Sequence, residues 1–215
     1  MDNRRFIGVL TPASSFCLLI LTACIFLGAW FPPSWGEENG LIEMLQVFIL
    51  VISGFAALGV YFKGVGSLAT RRLMLCTVPA WILLVGRELS WGRVFYPNGK
   101  GSFISLKELW YGQYVYPIIA ILFLGTLWVM RKQGLQREVL RWIIKGKFPI
   151  IDIIVFFVAS VSGDIIEHHS GELLGQKEAL LEEIAELVAY VAMMSLTINL
   201  GFVRRFQPPS ENEDS

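Results

Sequence analysis

The residues best suited to chemistry lie in one stretch of the chain, Asp164 to Glu186, which contains both histidines and seven of the eighteen acidic residues. At its start, Asp164, Glu167 and His168 are spaced i, i+3 and i+4, so a helix would present them on one face. Imidazole combined with carboxylates suits zinc, manganese or iron, whereas carboxylates alone suit calcium or magnesium. A metal-bound water could then attack an ester or an amide. The stretch therefore predicts a divalent-metal site, although it does not specify a reaction.

Further carboxylates come from other apolar runs and add to this cluster. Glu183 and Glu186 share a face of a later helix, Tyr190 continues that face one turn deeper, and Glu43 and Glu88 lie at the ends of two earlier runs. Ionisable groups at such positions are costly in a membrane and usually face a cavity or one another. Because so many carboxylates cannot all be ionised together in a low dielectric, they must bind protons, bind a cation or pair with arginines. The sequence thus predicts one wet pocket in which acids from four helices meet.

These positions give each candidate residue an expected role. The residues expected to act as catalytic groups are Glu88, Glu183 and Glu186. The residues expected to hold a metal ion, with zinc, manganese or calcium as candidates, are Glu43, Asp164 and His168. The residues expected to be structural or to position a substrate are Arg87, Arg93 and Trp91. At least three ligand atoms in the pocket should converge on one point.

The composition indicates an integral membrane protein. The 215 residues are 54% hydrophobic, and the mean hydropathy is +0.58. Six apolar runs are long enough to cross about 30 Å of hydrocarbon. They cover residues 14–31, 41–62, 72–90, 114–131, 148–167 and 180–203. The sequence therefore predicts an all-α, polytopic membrane helix bundle over residues 1–206, followed by a disordered acidic tail over residues 207–215.

The distribution of charge predicts the orientation of this bundle. With the N-terminus in the cytoplasm, thirteen of the eighteen Lys and Arg residues lie on the cytoplasmic side, as the positive-inside rule requires. Twelve of the eighteen acids then lie on the outer side. We therefore expect a multi-pass protein of a bacterial inner membrane with both termini in the cytoplasm. The net charge of zero gives no basic surface for nucleic acid, so membrane lipids are the expected partners.

Two connecting segments have predicted roles at the membrane surfaces. The outer loop over residues 92–113 could cover the acidic face. The inner segment over residues 135–147 is basic and amphipathic, so it should lie along the anionic cytoplasmic leaflet. The cysteines have no metal-binding or disulfide spacing, and they are expected to serve as small apolar residues; they are Cys17, Cys24 and Cys76.

Two short motifs resemble a known group of proteins. Residues 88–95, ELSWGRVF, resemble the E-[IL]-S-W-G-Q-x-[IF]-F segment of a broad group of bacterial multi-pass membrane proteins with no described activity. In that group the acid is often doubled and Gln is common where this chain has Arg93; Arg87 takes the place of the first acid. Residues 181–187, LEEIAEL, are similar to a later L-E-E-x-x-E-[LM] segment of the same group. The resemblance implies a shared membrane fold and no particular chemistry.

Three functions remain open on this evidence. The first is a membrane-embedded, metal-dependent hydrolase or transferase that acts on a lipid-linked substrate. The second is a non-enzymatic scaffold or accessory subunit for a membrane protein partner, in which Arg87 and Arg93 neutralise the acids in a structural ion-pair network. The third is an ion or proton carrier, for which the inner half offers few polar groups beyond Asp152 and Asn199.

Overall fold

The computed structural model describes residues 6–37, 39–99, 103–169 and 177–208, and this part of the chain is almost entirely helical. Its α-helices are α1 (Pro12–Leu27), α2 (Leu41–Lys63), α3 (Leu68–Leu75), α4 (Val78–Glu88), α5 (Gly112–Lys132), α6 (Leu135–Lys145), α7 (Ile150–His169) and α8 (Glu178–Phe202). Short 3-10 helices cover Gly28–Trp30, Pro33–Gly36, Ser90–Phe95, Leu106–Glu108 and Arg204–Phe206. Two-residue strands, β1 (Phe6–Ile7) and β2 (Phe148–Pro149), pair in parallel. The predicted all-α bundle is confirmed.

Within the described residues, four helical stretches are long and apolar enough to cross a membrane, which indicates a membrane protein. They are α2, the combined stretch Leu68–Glu88, α5 and α8. The helix α1 is also apolar but shorter, with 16 residues, because the chain turns into a 3-10 helix after Leu27. The predicted run 72–90 is not one helix: it consists of α3 and α4, and Pro79 lies in the first turn of α4, where a missing N–H is tolerated.

Helix α8 forms the centre of the bundle. It packs against α7, α2 and α1, and its middle is buried on all sides. Val188, Val191 and Ala192 meet Cys17 of α1 and Val155 of α7 in the largest cluster of buried apolar residues. Cys17 thus has the predicted role of a small core residue. Helix α8 lies between α2 and α7. The acids near α8 therefore lie on two sides of it, the α2 side and the α7 side.

Helix α5 lies at the periphery of the bundle. Its apolar side chains Ile121, Leu124 and Trp128 are exposed, as is expected for a helix whose outer surface meets lipid. It begins near the end of the bundle that carries Glu88, which we call the acidic end, and it finishes at Lys132 at the opposite, basic end. A helix of 21 residues spans about 30 Å, so the two ends are a membrane thickness apart.

A buried polar cluster joins three helices at the basic end. Asp152, in the first turn of α7, has no exposed surface and accepts hydrogen bonds from Ser14 Oγ at 2.8 Å, Ser195 Oγ at 2.6 Å and Asn199 Nδ2 at 2.9 Å. The positive end of the α7 dipole also favours a negative charge in this first turn. The cluster therefore ties α1 and α8 to the start of α7, and this fixes the direction in which α7 carries Asp164 to the acidic end.

Candidate functional site

A polar cleft of about 220 Å³ opens at the acidic end of the bundle, where the last turns of α7 and the first turns of α8 meet the end of α4. Five of its lining residues are charged. The complete lining consists of Arg87, Phe156, Ser160, Gly163, Asp164, Glu167, Glu182, Glu186, Ala189 and Tyr190. The cleft therefore brings together Arg87, Asp164 and Glu186 of the residues that the sequence singled out.

Arg87 is the cation of this cleft. Its Nη2 donates to Glu186 Oε1 at 2.8 Å, and its Nε lies 3.7 Å from Glu88 Oε1. The Arg87 side chain is 60% exposed and that of Glu186 is 27% exposed, so solvent screens their attraction. Such a pair contributes about 0–1 kcal/mol to stability. Its main effect is geometric, since it holds one carboxylate oxygen of Glu186 at the wall of the cleft.

Glu88 lies behind Arg87 and is buried. Its Oε1 accepts a hydrogen bond of 2.6 Å from the hydroxyl of Tyr190, which itself lines the cleft. The sequence placed Tyr190 on the face of Glu183 and Glu186 but gave it no role. One signal in the sequence could have identified Tyr190 as a partner of an acid. It is an aromatic residue with a polar tip, one helical turn below a cluster of acids.

Glu183 and Glu43 lie on the other side of α8. Glu183 Oε2 accepts from the fully buried amide of Gln46 on α2 at 2.7 Å. Glu43, in the first turn of α2, is buried and accepts from the backbone N–H of Asn39. Glu183 remains close enough to Glu43, Glu88 and Glu186 for their charges to act on one another. The predicted single pocket is thus a set of neighbouring acids divided between the α2 side and the α7 side of α8.

A group of three exposed side chains at the end of α7 has the spacing to hold a metal ion. One ligand atom each from Asp164, Glu167 and His168 lies within 4.8 Å of the others. Among the described residues, these three side chains form the one candidate metal-binding group, and Glu43 does not belong to it. Two of the predicted ligands, Asp164 and His168, belong to this group together with Glu167, which shares the α7 face. Glu43 lies in the first turn of α2, beyond α8.

The donor set of this group fits a borderline divalent ion. Two carboxylates and one imidazole suit zinc or manganese. His168 Nδ1 lies 3.0 Å from the backbone oxygen of Asp164, a contact that would orient the ring if Nδ1 carries the proton. This contact, together with the carboxylates of Glu167 and Asp164, raises the pKa of His168, which lies beyond the predicted span 148–167. Protons therefore compete with a metal ion for this imidazole over a wider pH range than usual.

The connection after α4 has an unusual backbone. Ser90, Trp91 and Gly92 all have positive φ angles, of 44°, 58° and 85°. The turn folds the Trp91 ring back onto Gly86, where a Cβ atom would lie only 2.6 Å from the ring. Positive φ is costly for residues other than glycine, so the packing of Trp91 must stabilise this turn. Trp91 accordingly fixes the end of α4, next to Arg87.

Arg93 holds the loop rather than the acids. Its Nε donates to the backbone oxygen of Ile104 at 3.0 Å, and in the described part of the chain the arginine that pairs with acids on this face is Arg87. The expected pairing of Arg93 with the acids is therefore not seen there. Arg93 and Lys107 line a second cleft, of about 560 Å³, which is formed by the loop over residues 92–113 and the start of α5.

Parts of three segments discussed above lie outside the described residues. They are positions 100–102 of the loop over residues 92–113, the side chain of His169 and positions 170–176 of the stretch from Asp164 to Glu186, and the tail beyond residue 208.

Searches of protein-family models, curated proteins and solved structures give no match to this chain. The resemblance of residues 88–95 to uncharacterised bacterial membrane proteins consequently stays a prediction. The function has to be argued from the cleft and its neighbours.

Proposed function

We propose that this chain is a multi-pass protein of a bacterial inner membrane, with both termini in the cytoplasm and the acidic end outside. In this proposal, the cleft at the acidic end binds a divalent metal ion and catalyses hydrolysis or group transfer on a lipid-linked substrate. The observation that carries the proposal is that candidate metal ligands and a paired arginine and glutamate line the same cleft. Asp164 and Glu167, which can hold a metal ion together with His168, line the same cleft as Arg87 and Glu186.

The exposure of the three candidate ligands supports a catalytic rather than a structural ion. The side chains of Asp164, Glu167 and His168 are 76%, 59% and 58% exposed. Structural zinc sites are closed by four protein ligands, whereas catalytic sites keep a position open for water or substrate. When bound, the ion would supply an activated water and polarise the substrate bond under attack.

The other groups of the cleft have complementary uses. A guanidinium is well suited to an anionic group such as a phosphate, so Arg87 would orient the head of the substrate. Glu186 is bonded to Arg87 through Oε1, which leaves Oε2 to accept a proton from an attacking nucleophile. Because the cleft lies at the ends of apolar helices, the head of a lipid-linked molecule can reach it while the tail stays in the membrane.

The metal content of the detergent-purified protein tests the proposal. After loading with zinc or manganese and removal of the excess, wild type should retain about one equivalent, as expected for a single three-ligand site. His168→Ala and Glu167→Ala should lose it. Glu178→Ala is the matched control, because Glu178 lies in the first turn of α8 but belongs neither to the cleft lining nor to the ligand group. Wild type without bound metal would overturn the proposal.

The catalytic part is tested separately with Glu186→Gln. This variant keeps all three candidate ligands, so it should retain the metal ion and lose turnover of a panel of phosphate-bearing lipids that wild type cleaves. Full turnover by Glu186→Gln would remove Glu186 from the mechanism.

A second candidate function, a non-enzymatic scaffold or accessory subunit, is favoured by a different observation. The buried acids Glu88 and Glu183 are already bonded to Tyr190 and Gln46, and Arg87 is paired with Glu186, as a structural network requires. On this alternative, added zinc or manganese should leave the melting temperature unchanged, whereas bound ligand stabilises the folded state in the metal-dependent proposal. The melting temperature with and without the ion therefore discriminates between the two functions.

A further inference from the structure

An amphipathic cleft lies at the basic end of the bundle, about a membrane thickness from the acidic cleft. It has a volume of about 410 Å³ and follows the turn in which α5 ends and α6 begins. The charged residues of its lining are Arg137, Glu138, Arg141 and Lys145, and its apolar residues include Leu140 and Ile144. Three basic residues and one acid give this lining a formal charge of +2.

Glu138, the acid of this cleft, already binds two neighbouring donors. Glu138 is buried, and its Oε1 already accepts from Arg141 Nη2 at 2.9 Å and from Thr70 Oγ1 at 2.5 Å. Arg141 is in turn held by Ser67 Oγ at 3.2 Å. Arg137, by contrast, is exposed. The outer rim of the cleft is therefore positive.

The other half of the lining is apolar and also exposed. Leu140 and Ile144 line the cleft with 55% and 50% of their surface accessible. At the end of α5, Lys132 Nζ lies 4.7 Å from the ring centroid of Trp128, which is itself exposed. Trp and Lys side chains together are typical of the boundary between hydrocarbon and headgroups. We therefore expect the cleft to lie at the membrane surface, with its apolar half towards the hydrocarbon.

We propose that this cleft binds an anionic phospholipid, with the phosphate held by Arg137 and an acyl chain lying along Leu140 and Ile144. The exposed guanidinium of Arg137 selects the anionic headgroup, because a bidentate guanidinium matches phosphate geometry. A free phosphate ion would leave the apolar half of the cleft in water, so the shape favours a lipid. The site does not depend on the chemistry of the acidic cleft.

The test is a titration of the full chain in a non-ionic detergent with phosphatidylglycerol or phosphatidylcholine, followed by the melting temperature. Phosphatidylglycerol should raise the melting temperature of wild type to a plateau, and phosphatidylcholine should not. Arg137→Gln should weaken the apparent affinity about five-fold, which corresponds to the roughly 1 kcal/mol that a basic residue contributes near an anionic lipid. Leu140→Ser should also weaken it, since it removes apolar contact with the chain.

Arg72→Gln is the matched control. Arg72 is an exposed cation at the same end of the bundle, on α3, but it does not line the cleft. Its substitution should leave the affinity unchanged. Equal losses in Arg137→Gln and Arg72→Gln would mean general surface attraction and would overturn the site. Equal stabilisation by inorganic phosphate, equal stabilisation by phosphatidylcholine, or no effect of Leu140→Ser would overturn the lipid assignment.

Discussion

The hydroxyl of Tyr190 donates a hydrogen bond of 2.6 Å to Oε1 of Glu88, which joins the middle of α8 to the last residue of α4. Both side chains are buried. The cation nearest to Glu88 is Arg87, whose Nε is 3.7 Å away on a largely exposed side chain. The neutral hydroxyl is therefore the close partner of this carboxyl group in the described structure, and it sets the position from which Arg87 reaches the cleft.

Removal of this hydroxyl should destabilise the protein without changing its shape. Tyr190→Phe leaves a buried carboxyl group without its donor, which typically costs about 1–3 kcal/mol. The free energy of unfolding in detergent measures the loss. Tyr114→Phe is the control, since Tyr114 is 53% exposed on α5. Equal stabilities of the two variants would show that the bond to Glu88 contributes nothing.

Loss of the buried carboxylate at the basic end should have a larger effect. Asp152→Ala leaves the donors of Ser14, Ser195 and Asn199 without their acceptor, so we expect a destabilisation of about 3–5 kcal/mol. Chemical unfolding followed by circular dichroism measures it. The control lies on the same helix: Asp164→Ala removes an exposed acid and should change stability little. Similar losses in both variants would contradict the role of the buried cluster.

The sequence predicts the helices well because their apolar runs are long and uninterrupted. Each of the six predicted runs coincides with helical structure, and the acids do gather at one end. What the sequence could not give is the side of α8 that each acid faces. Glu183 and Glu186 are three residues apart and thus about 60° apart around the helix, a small angle that nevertheless separates the α2 side from the α7 side.

The partners of the polar residues were also beyond prediction. Arg93 bonds to a backbone oxygen of the loop, and Gln46 rather than an arginine meets Glu183. Counting charged residues in the sequence cannot predict hydrogen bonds to backbone oxygens or to neutral amides. The interruption between α3 and α4 is marked in the sequence by Pro79, which indicates a kink, and not by hydropathy, which is continuous over Leu68–Glu88.

The titration of His168 gives a pH-dependent prediction for the metal-free protein. Its pKa lies above the ordinary value of 6.5, because the imidazolium form is bonded to the backbone oxygen of Asp164 and faces the carboxylates of Glu167 and Asp164. Protonation of His168 therefore favours the folded state below pH 6.5, and this contribution is lost as the pH rises through the raised pKa.

An NMR titration of the imidazole in the presence of a chelator measures this pKa, with His168→Gln used to assign the signal. Glu167→Gln should move the pKa down towards 6.5, whereas Glu178→Gln should leave it where it is. A wild-type pKa at or below 6.5 would contradict the geometry at the end of α7.

The pair of Arg87 and Glu186 should contribute little to stability. Because both side chains are partly exposed, a double-mutant cycle with Arg87→Ala and Glu186→Ala should give a coupling of at most about 1 kcal/mol. The coupling should fall further at high salt, since exposed charges are screened. A coupling several times larger would mean that the cleft is closed to water, and it would favour a purely structural network.

The contact between Gly86 and Trp91 leads to a prediction that uses two glycines of the same chain. Gly86→Ala forces a methyl group against the Trp91 ring, with 2.6 Å between Cβ and the nearest ring atom, so the ring must move and the strained turn loses its support. We expect a destabilisation of about 1–3 kcal/mol, the usual cost of overpacking. Gly125→Ala, at a helical position on α5 with no atom within 4 Å of the new methyl group, should instead leave stability unchanged or raise it by up to about 1 kcal/mol.

The double variant Gly86→Ala with Trp91→Ala separates the contact from the helix propensity of alanine. It should be no less stable than Trp91→Ala alone, because the ring that the methyl group meets has been removed, and the unfolding free energies of the four proteins decide the point.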